Sequence, residues 1–72
     1  MDIKQLRYFI AIAEGGSLSA AAQRVNVAQP SLSQHVLSLE RELDVKLLER
    51  SSRGVSLTQS GEVLLSHALE IT

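Results

Sequence analysis

Amide and hydroxyl side chains are concentrated around the single proline of this sequence, Pro30. They are Gln29, Ser31, Ser33, Gln34 and Ser38. The amide of Gln34 can form two hydrogen bonds with an adenine edge, a contact that discriminates against a wrong base by about 1–3 kcal/mol. Hydroxyl and backbone N–H groups at the start of a helix instead favour phosphate. Taken singly, such side chains also occur on solvated helix surfaces and as helix caps. The elements around them must therefore decide whether they contact DNA.

A helical periodicity predicts the element that carries these side chains. Its apolar residues recur with the spacing of one helix face, opposite the polar residues: Leu32, Val36, Leu39 and Leu43. Proline suits the first helical position because its missing N–H would have no intrahelical partner there. We therefore expect the helix to begin at Pro30, with Gln29 as its cap.

A shorter helix precedes it and predicts a helix-turn-helix. Ser17 is a favourable N-cap, and the adjacent Ala21 and Ala22 permit close approach of a second helix. Residues 26–29 form the turn, in which Asn26 tolerates a left-handed backbone and Val27 anchors the turn to both helices. In such a motif the second helix presents its polar face to the major groove of DNA.

Two further elements flank this motif. A first helix over 3–14 has its main apolar stripe at Ile3, Leu6, Phe9, Ile10 and Ala13, and Gly15-Gly16 ends it. Tyr8 and Ile12 lie off this stripe, so we expect them to contact a second surface, either the last helix or another subunit. After the motif, Val55 and Leu57 alternate with polar residues beyond a Gly-containing turn. This pattern predicts a two-stranded hairpin with Arg53 at its tip.

A last helix is predicted from Gln59 to at least Ile71, with Thr58 as its cap. Its apolar arc is wider than packing on so small a domain needs. We therefore expect part of the arc to form a dimer contact, at Leu64, Leu65, Ala68 and Leu69.

The charge distribution qualifies the expectation of DNA binding. The net charge is −1 and the pI is about 6.0, whereas DNA-binding domains are typically basic. Residues 15–39 nevertheless contain no acid and include Arg24, and Arg50 and Arg53 form a second basic cluster. Arg50 either contacts DNA or pairs with an acid, Glu40 or Glu49. A single copy is expected to bind DNA weakly, so useful affinity requires several copies.

Several function classes are disfavoured by composition. The chain has no cysteine, and His35 and His67 lack partners at metal-ligand spacing, so we expect no metal and no cofactor. No serine lies in a nucleophile motif, and we expect no catalytic residues. An apolar run long enough to span a bilayer and a secretory signal are both absent from the sequence, which predicts a cytoplasmic protein that does not contact the membrane.

The pattern AAxxxxVxQPSxSxxxxxLExxL followed by LxxRxxRGxxLTxxG closely resembles the N-terminal DNA-binding domain of LysR-type transcriptional regulators. The resemblance implies a mainly α fold: a winged helix-turn-helix with a three-helix core, a short β-hairpin wing and the start of a long C-terminal linker helix. It implies a DNA-binding domain over 1–58 and a dimerisation helix over 59–72. The effector-binding domain, expected to sense a small-molecule inducer, is absent from this chain.

The resemblance also implies partners and site residues. The expected partner is double-stranded DNA, bound at an inverted repeat by a homodimer, or by a tetramer in the full-length protein. The implied DNA contacts fall on Gln29, Pro30, Ser31, Ser33, Gln34, Ser38 and, in the wing, Arg53; Arg50 joins them by its place in the basic cluster. Many family members carry arginine where this chain has Gln34 or His35. The alternative from another class is a helical interaction module that does not touch DNA, supported by the acidic net charge and the apolar last helix.

Overall fold

The computed structural model of this chain describes residues 2–51 and 54–71. In chain order, these residues form α1 (Ile3–Gly15), α2 (Leu18–Val25), α3 (Gln29–Leu43), β1 (Leu48–Ser51), β2 (Gly54–Leu57) and α4 (Gln59–Ile71). This order confirms the predicted mainly α fold with a helix-turn-helix, a wing and a final helix. None of the helices in this part of the chain has the length and apolar character needed to cross a bilayer.

The first helix, α1, is the central element and contacts α2, α3, α4 and β2. Its N-cap is Asp2, whose Oδ1 accepts the Gln5 N–H at 2.7 Å, and it ends at Gly16 in a left-handed conformation with φ 74°. The predicted main stripe was wrong in part, because Ala11 is buried whereas Ile3 is 48% exposed. Tyr8 and Ile12, expected to contact a second surface, are buried within this chain. A helix covered on several sides has no single apolar stripe.

The helix-turn-helix has the local chemistry that the sequence predicted. Ser17 Oγ accepts the Ala20 N–H at 3.1 Å, and Ala21 and Ala22 are buried where α2 meets its neighbours. Asn26 ends α2 in the left-handed conformation with φ 59°. Asparagine tolerates this conformation better than most residues, so the turn closes with little strain.

The start of α3 differs from the prediction. Ala28, and not Gln29, is the N-cap; Gln29 and Pro30 lie in the first turn, and no side chain caps the helix. Because none of the first-turn N–H groups has an intrahelical acceptor, proline is tolerated at more than one position there and does not fix the boundary. The predicted apolar stripe is buried at Leu32, Val36 and Leu39, but Leu43 is 37% exposed because the helix ends there.

The wing is an antiparallel hairpin in which Leu48 pairs with Leu57 and Ser51 with Gly54. The predicted tip residue Arg53 lies outside the described residues. The hairpin is attached to the α1–α2 turn, since the Val55 N–H donates to the Gly16 carbonyl at 3.1 Å. The wing therefore has a fixed position beside the start of α2.

The last helix begins at the predicted cap and is joined to the base of the wing. Thr58 Oγ1 accepts the Gly61 N–H at 3.0 Å and donates to the Lys46 carbonyl at 2.6 Å. The Thr58 N–H donates to the Leu47 carbonyl at 3.0 Å. All these elements enclose one core, whose largest fully buried side chains are Phe9, Ile12, Leu32, Val36, Leu39 and Leu47.

Candidate nucleic-acid interface

An exposed polar strip runs along the side of α3 opposite its core face. Gln34 and Ser38 lie on it with Pro30 and Arg41, all exposed. Within the described part of the chain no hydrogen bond involves the Gln34 amide, so its donor and acceptor can pair with a base edge. Arg41 was not among the site residues predicted from the sequence. Its position two helical turns beyond Gln34 adds it to the candidates.

The N-terminal turn of α3 is open to an anion. Gln29 and Ser31 are exposed, and the cap residue Ala28 has no side-chain oxygen to accept their N–H groups. Uncapped N–H groups at a helix start, together with the helix dipole, favour a negatively charged partner such as phosphate. The correction of the cap from Gln29 to Ala28 therefore makes this terminus better suited to phosphate, because the Gln29 side chain is not committed to the helix.

The wing is linked to α3 by a side-chain hydrogen bond. Arg50 Nη2 donates to Ser33 Oγ at 2.8 Å. The sequence left Arg50 between DNA and an acid, Glu40 or Glu49, but neither acid is its partner. Ser33 is half-buried and holds Arg50, while its own hydroxyl proton can still be donated. The bond places one guanidinium at the edge of the polar strip of α3.

A shallow groove of about 250 Å³ brings the starts of α2 and α3 together with the wing. Of the predicted site residues it contains Gln29 and Arg50. It also contains residues that the sequence analysis did not assign to the site, notably Ser17, Ser19 and Ser51. Ser19 could have been found, since it is a polar residue in the first turn of α2, and the first helix of such a motif crosses the DNA backbone.

Arg24 and His35, both noted in the sequence, have partners on α1. Arg24, counted in the acid-free window, forms a salt bridge with Glu14 at 3.1 Å, with both side chains about half exposed. It therefore supplies less free positive charge than the sequence indicated. His35 packs edge-on against Tyr8 with ring centroids 4.9 Å apart, so its ring is directed towards α1. Among residues 2–51 and 54–71 no three His, Asp or Glu side chains are grouped as a metal site requires.

The residues predicted for the dimer contact on α4 differ in their exposure. Ala68 is fully buried in the protein's own core, and Leu64 and Leu65 are half-buried against it. Leu69 is 51% exposed, and Val63, which was not predicted, is 56% exposed. Ala68 therefore has no exposed surface in this chain. Leu65 and Leu69 lie one helical turn apart on the same side of α4, and Leu64 lies on another side.

Comparison with known proteins gives consistent matches. Residues 3–62 match the model of the family described as "Bacterial regulatory helix-turn-helix protein, lysR family". The regulator TfdT of Cupriavidus pinatubonensis is 46% identical over 71 residues, which are 99% of this chain and 31% of TfdT. TcbR of a Pseudomonas species is 48% identical over 99% of this chain and 24% of TcbR. This chain thus spans about a quarter to a third of these relatives.

Solved structures agree with the sequence matches. The crystal structure of the CbnR_DBD–DNA complex has a TM-score of 0.95 and 48% identity, covering 99% of this chain and 82% of that one. The BenM_DBD/benA site 1 DNA complex has a TM-score of 0.94 and 41% identity, covering 99% of this chain and 83% of that one. CbnR is itself described as a LysR family transcriptional regulator, so the fold comparison agrees with the family match.

Proposed function

Since this chain belongs to the LysR family of bacterial regulatory helix-turn-helix proteins, we propose that it binds double-stranded DNA through α3 and the wing and regulates transcription. The family consists of transcriptional regulators and not of enzymes. Residues 1–58 are assigned to DNA binding and residues 59–72 to dimerisation. The protein is assigned to the cytoplasm, where bacterial DNA lies.

The single observation that carries this proposal is the exposed strip of α3 flanked by Arg50 of the wing. An α-helix with its side chains is about 10–12 Å across, and the major groove of B-DNA is about 12 Å wide. The strip has amide, hydroxyl and guanidinium groups at Gln34, Ser38 and Arg41, which match base edges and phosphates. The acidic net charge does not oppose this contact, because phosphates respond to the local charges that they meet.

Each predicted side chain has a role in this assignment. Gln34 contacts a base edge, with Ser38 further along the groove. Gln29, Pro30 and Ser31 bring the open helix terminus to a phosphate, and Ser33 acts with Arg50. Arg53 is assigned to the backbone or the minor groove beside the wing. The roles of Gln29, Pro30, Ser31, Gln34 and Ser38 are supported by their exposure on α3.

The assembly is a homodimer that binds two half-sites of an inverted repeat, because two-fold symmetric proteins match two-fold symmetric DNA. The exposed Leu69, next to the half-buried Leu65 on α4, supports pairing there. The relatives are about three to four times longer than this chain. An effector-binding domain, a small-molecule inducer and a tetramer are accordingly proposals for a full-length protein. The alternative of an interaction module without DNA is disfavoured by the family and by the two DNA complexes of similar fold.

Selection from random duplex DNA by the purified domain, followed by sequencing, tests this function. We expect enrichment of a two-fold symmetric motif at low salt. No enrichment above a control without protein, from either this domain or a longer chain, would contradict sequence-specific binding.

Replacing Gln34 with alanine should relax base preference at one position of each half-site. The lost amide contact is expected to lower discrimination there by about 1–3 kcal/mol. Competition binding with duplexes that differ only at that base pair measures the change. Gln23→Ala, at an exposed position on α2, is the matched control and should leave the preference unaltered. Unchanged discrimination in Gln34→Ala would remove Gln34 from the base contacts.

Replacing Leu69 with aspartate should weaken dimerisation, because a charge would then be buried in an apolar contact. Sedimentation equilibrium should show a shift from dimer to monomer of at least tenfold in dissociation constant, about 1.4 kcal/mol. Val63→Asp is the control, since Val63 is equally exposed but lies on another side of α4. If only Val63→Asp dissociates the dimer, the interface lies on the Val63 side of α4 and not at Leu69.

A further inference from the structure

Glu40 binds the base of the wing from the recognition helix α3. Its Oε2 accepts the Leu47 N–H at 2.7 Å and the Leu48 N–H at 3.2 Å. The carboxylate is half-buried and forms no salt bridge within residues 2–51 and 54–71. It is thus committed to two backbone donors at the point where β1 begins.

These two hydrogen bonds should be strong for their kind. Hydrogen bonds to an ionised acceptor are roughly twice as strong as those between neutral groups. The same short segment is held from the other side, where the Leu47 carbonyl accepts the Thr58 N–H. The start of β1 therefore has a defined position relative to both α3 and α4.

A second link joins α3 to the same strand. Ser33 precedes Glu40 by two helical turns, so the two side chains lie on the same edge of α3. Ser33 accepts from Arg50, two residues beyond Leu48. Glu40 and Ser33, on one edge of α3, thus bind β1 at two points: the backbone where the strand begins and the guanidinium of Arg50 further along it.

We propose that Glu40 and Ser33 are positioning residues, which fix the wing to the recognition helix so that Arg50 reaches a DNA phosphate. This inference rests on the proposed function, because it concerns how DNA is contacted. Neither residue needs to touch DNA for this role. Arg50 is the group that does so, and its location depends on the two links.

Electrostatics alone predicts that loss of the Glu40 charge changes the affinity for DNA in the opposite direction. Loss of an acid beside a DNA-binding surface should strengthen binding to phosphates. A positioning role instead predicts weaker binding whenever the carboxylate can no longer reach both N–H groups, whatever its charge. Two substitutions separate reach from charge: Glu40→Asp keeps the charge and shortens the side chain, and Glu40→Gln keeps the length and an acceptor oxygen.

The experiment measures the affinity of each variant for a labelled pool of random-sequence duplex DNA over a range of salt concentrations. Circular dichroism confirms folding at the assay temperature. We expect Glu40→Asp to bind about 3–10-fold more weakly and Glu40→Gln to bind at least as tightly as the wild type. In Glu40→Asp the slope of log K against log salt should fall in magnitude by about 0.9, the value for one lost phosphate contact.

Ser33→Ala provides the second variant if Glu40→Asp does not fold. A direct phosphate contact by the neutral Ser33 hydroxyl releases no counterion, so its loss alone would leave the salt slope unchanged. If Ser33→Ala moves Arg50 away from its phosphate, the slope should fall in magnitude by about 0.9, as it should in Arg50→Ala. In an Arg50→Ala background neither Glu40→Asp nor Ser33→Ala should lower it further.

The outcomes distinguish a failure of the proposed function from a failure of the positioning role of Glu40 and Ser33. If the wild type does not bind DNA, the proposed function and this inference both fail. If it binds, but Glu40→Asp equals it and Glu40→Gln binds more tightly, electrostatics alone accounts for Glu40. An unaltered salt slope in Ser33→Ala would likewise overturn the positioning of Arg50, while leaving the proposed function intact.

Discussion

Replacing Gly61 with alanine should destabilise the protein by about 3 kcal/mol or more, although alanine is the better helix former. A Cβ added to Gly61 in α4 would meet the Leu47 carbonyl oxygen and carbon and, at 3.1 Å, Leu57 Cδ2. The carbonyl cannot retreat freely, because it accepts the Thr58 N–H at the base of the wing. The gain from helix propensity, about 1 kcal/mol, is therefore smaller than the cost of the clash.

Gly15→Ala is the matched control for this prediction. Gly15 is the last residue of α1, and its added Cβ would meet Ala20 Cβ and Ala21 N at an ordinary 3.7 Å. This variant should gain up to about 1 kcal/mol from helix propensity. Urea denaturation of both variants measures the two free energies of unfolding. A Gly61→Ala variant as stable as Gly15→Ala would show that α4 and Leu47 are not packed in this way.

The parts of the fold that depend on local chemistry could be predicted from the sequence. Ser17 and Thr58 cap helices with their own hydroxyls, and Gly16 and Asn26 end helices in a left-handed conformation. Each of these features involves residues within four positions of each other. The hairpin likewise follows from alternation around a short turn, so the order of elements was available without the structure.

The parts that depend on distant elements could not be predicted in the same way. Ala11 is buried because α1 is surrounded, and Ala68 because α4 folds back on the core. Neither fact is contained in the periodicity of a single helix. The start of α3 at Gln29 was missed for another reason, since proline is compatible with several first-turn positions.

The candidate interface likewise has a part that could be predicted from the sequence and a part that could not. The polar strip at Gln34 and Ser38 follows from helical spacing alone. The pairing of Arg50 with Ser33, 17 residues apart, and of Arg24 with Glu14, 10 apart, follows only from packing between elements. A window of sequence without acids therefore overstated the free positive charge, because an acid just outside it lies opposite Arg24.

Replacing Gly54 with alanine should both destabilise the protein and weaken its binding to DNA. Gly54 has φ 122°, which a residue with a side chain rarely adopts, and its added Cβ would lie 2.7 Å from the Gly16 carbonyl oxygen. That oxygen accepts the Val55 N–H, the bond that attaches the wing to the α1–α2 turn. Backbone strain of about 1–3 kcal/mol and the clash act together, so we expect a loss of about 3 kcal/mol.

Gly16→Ala separates the two causes, because Gly16 also has a positive φ, 74°, but open space around its missing side chain. It should cost only about 1–2 kcal/mol from strain. Binding to random-sequence duplex DNA, measured where both variants are folded, should fall in Gly54→Ala and stay near wild type in Gly16→Ala. Equal effects on binding would mean that attachment of the wing at Gly16 does not set the position of Arg50. Weaker binding by Gly54→Ala alone would show that the wing must be attached to the α1–α2 turn at Gly16 for DNA to be contacted.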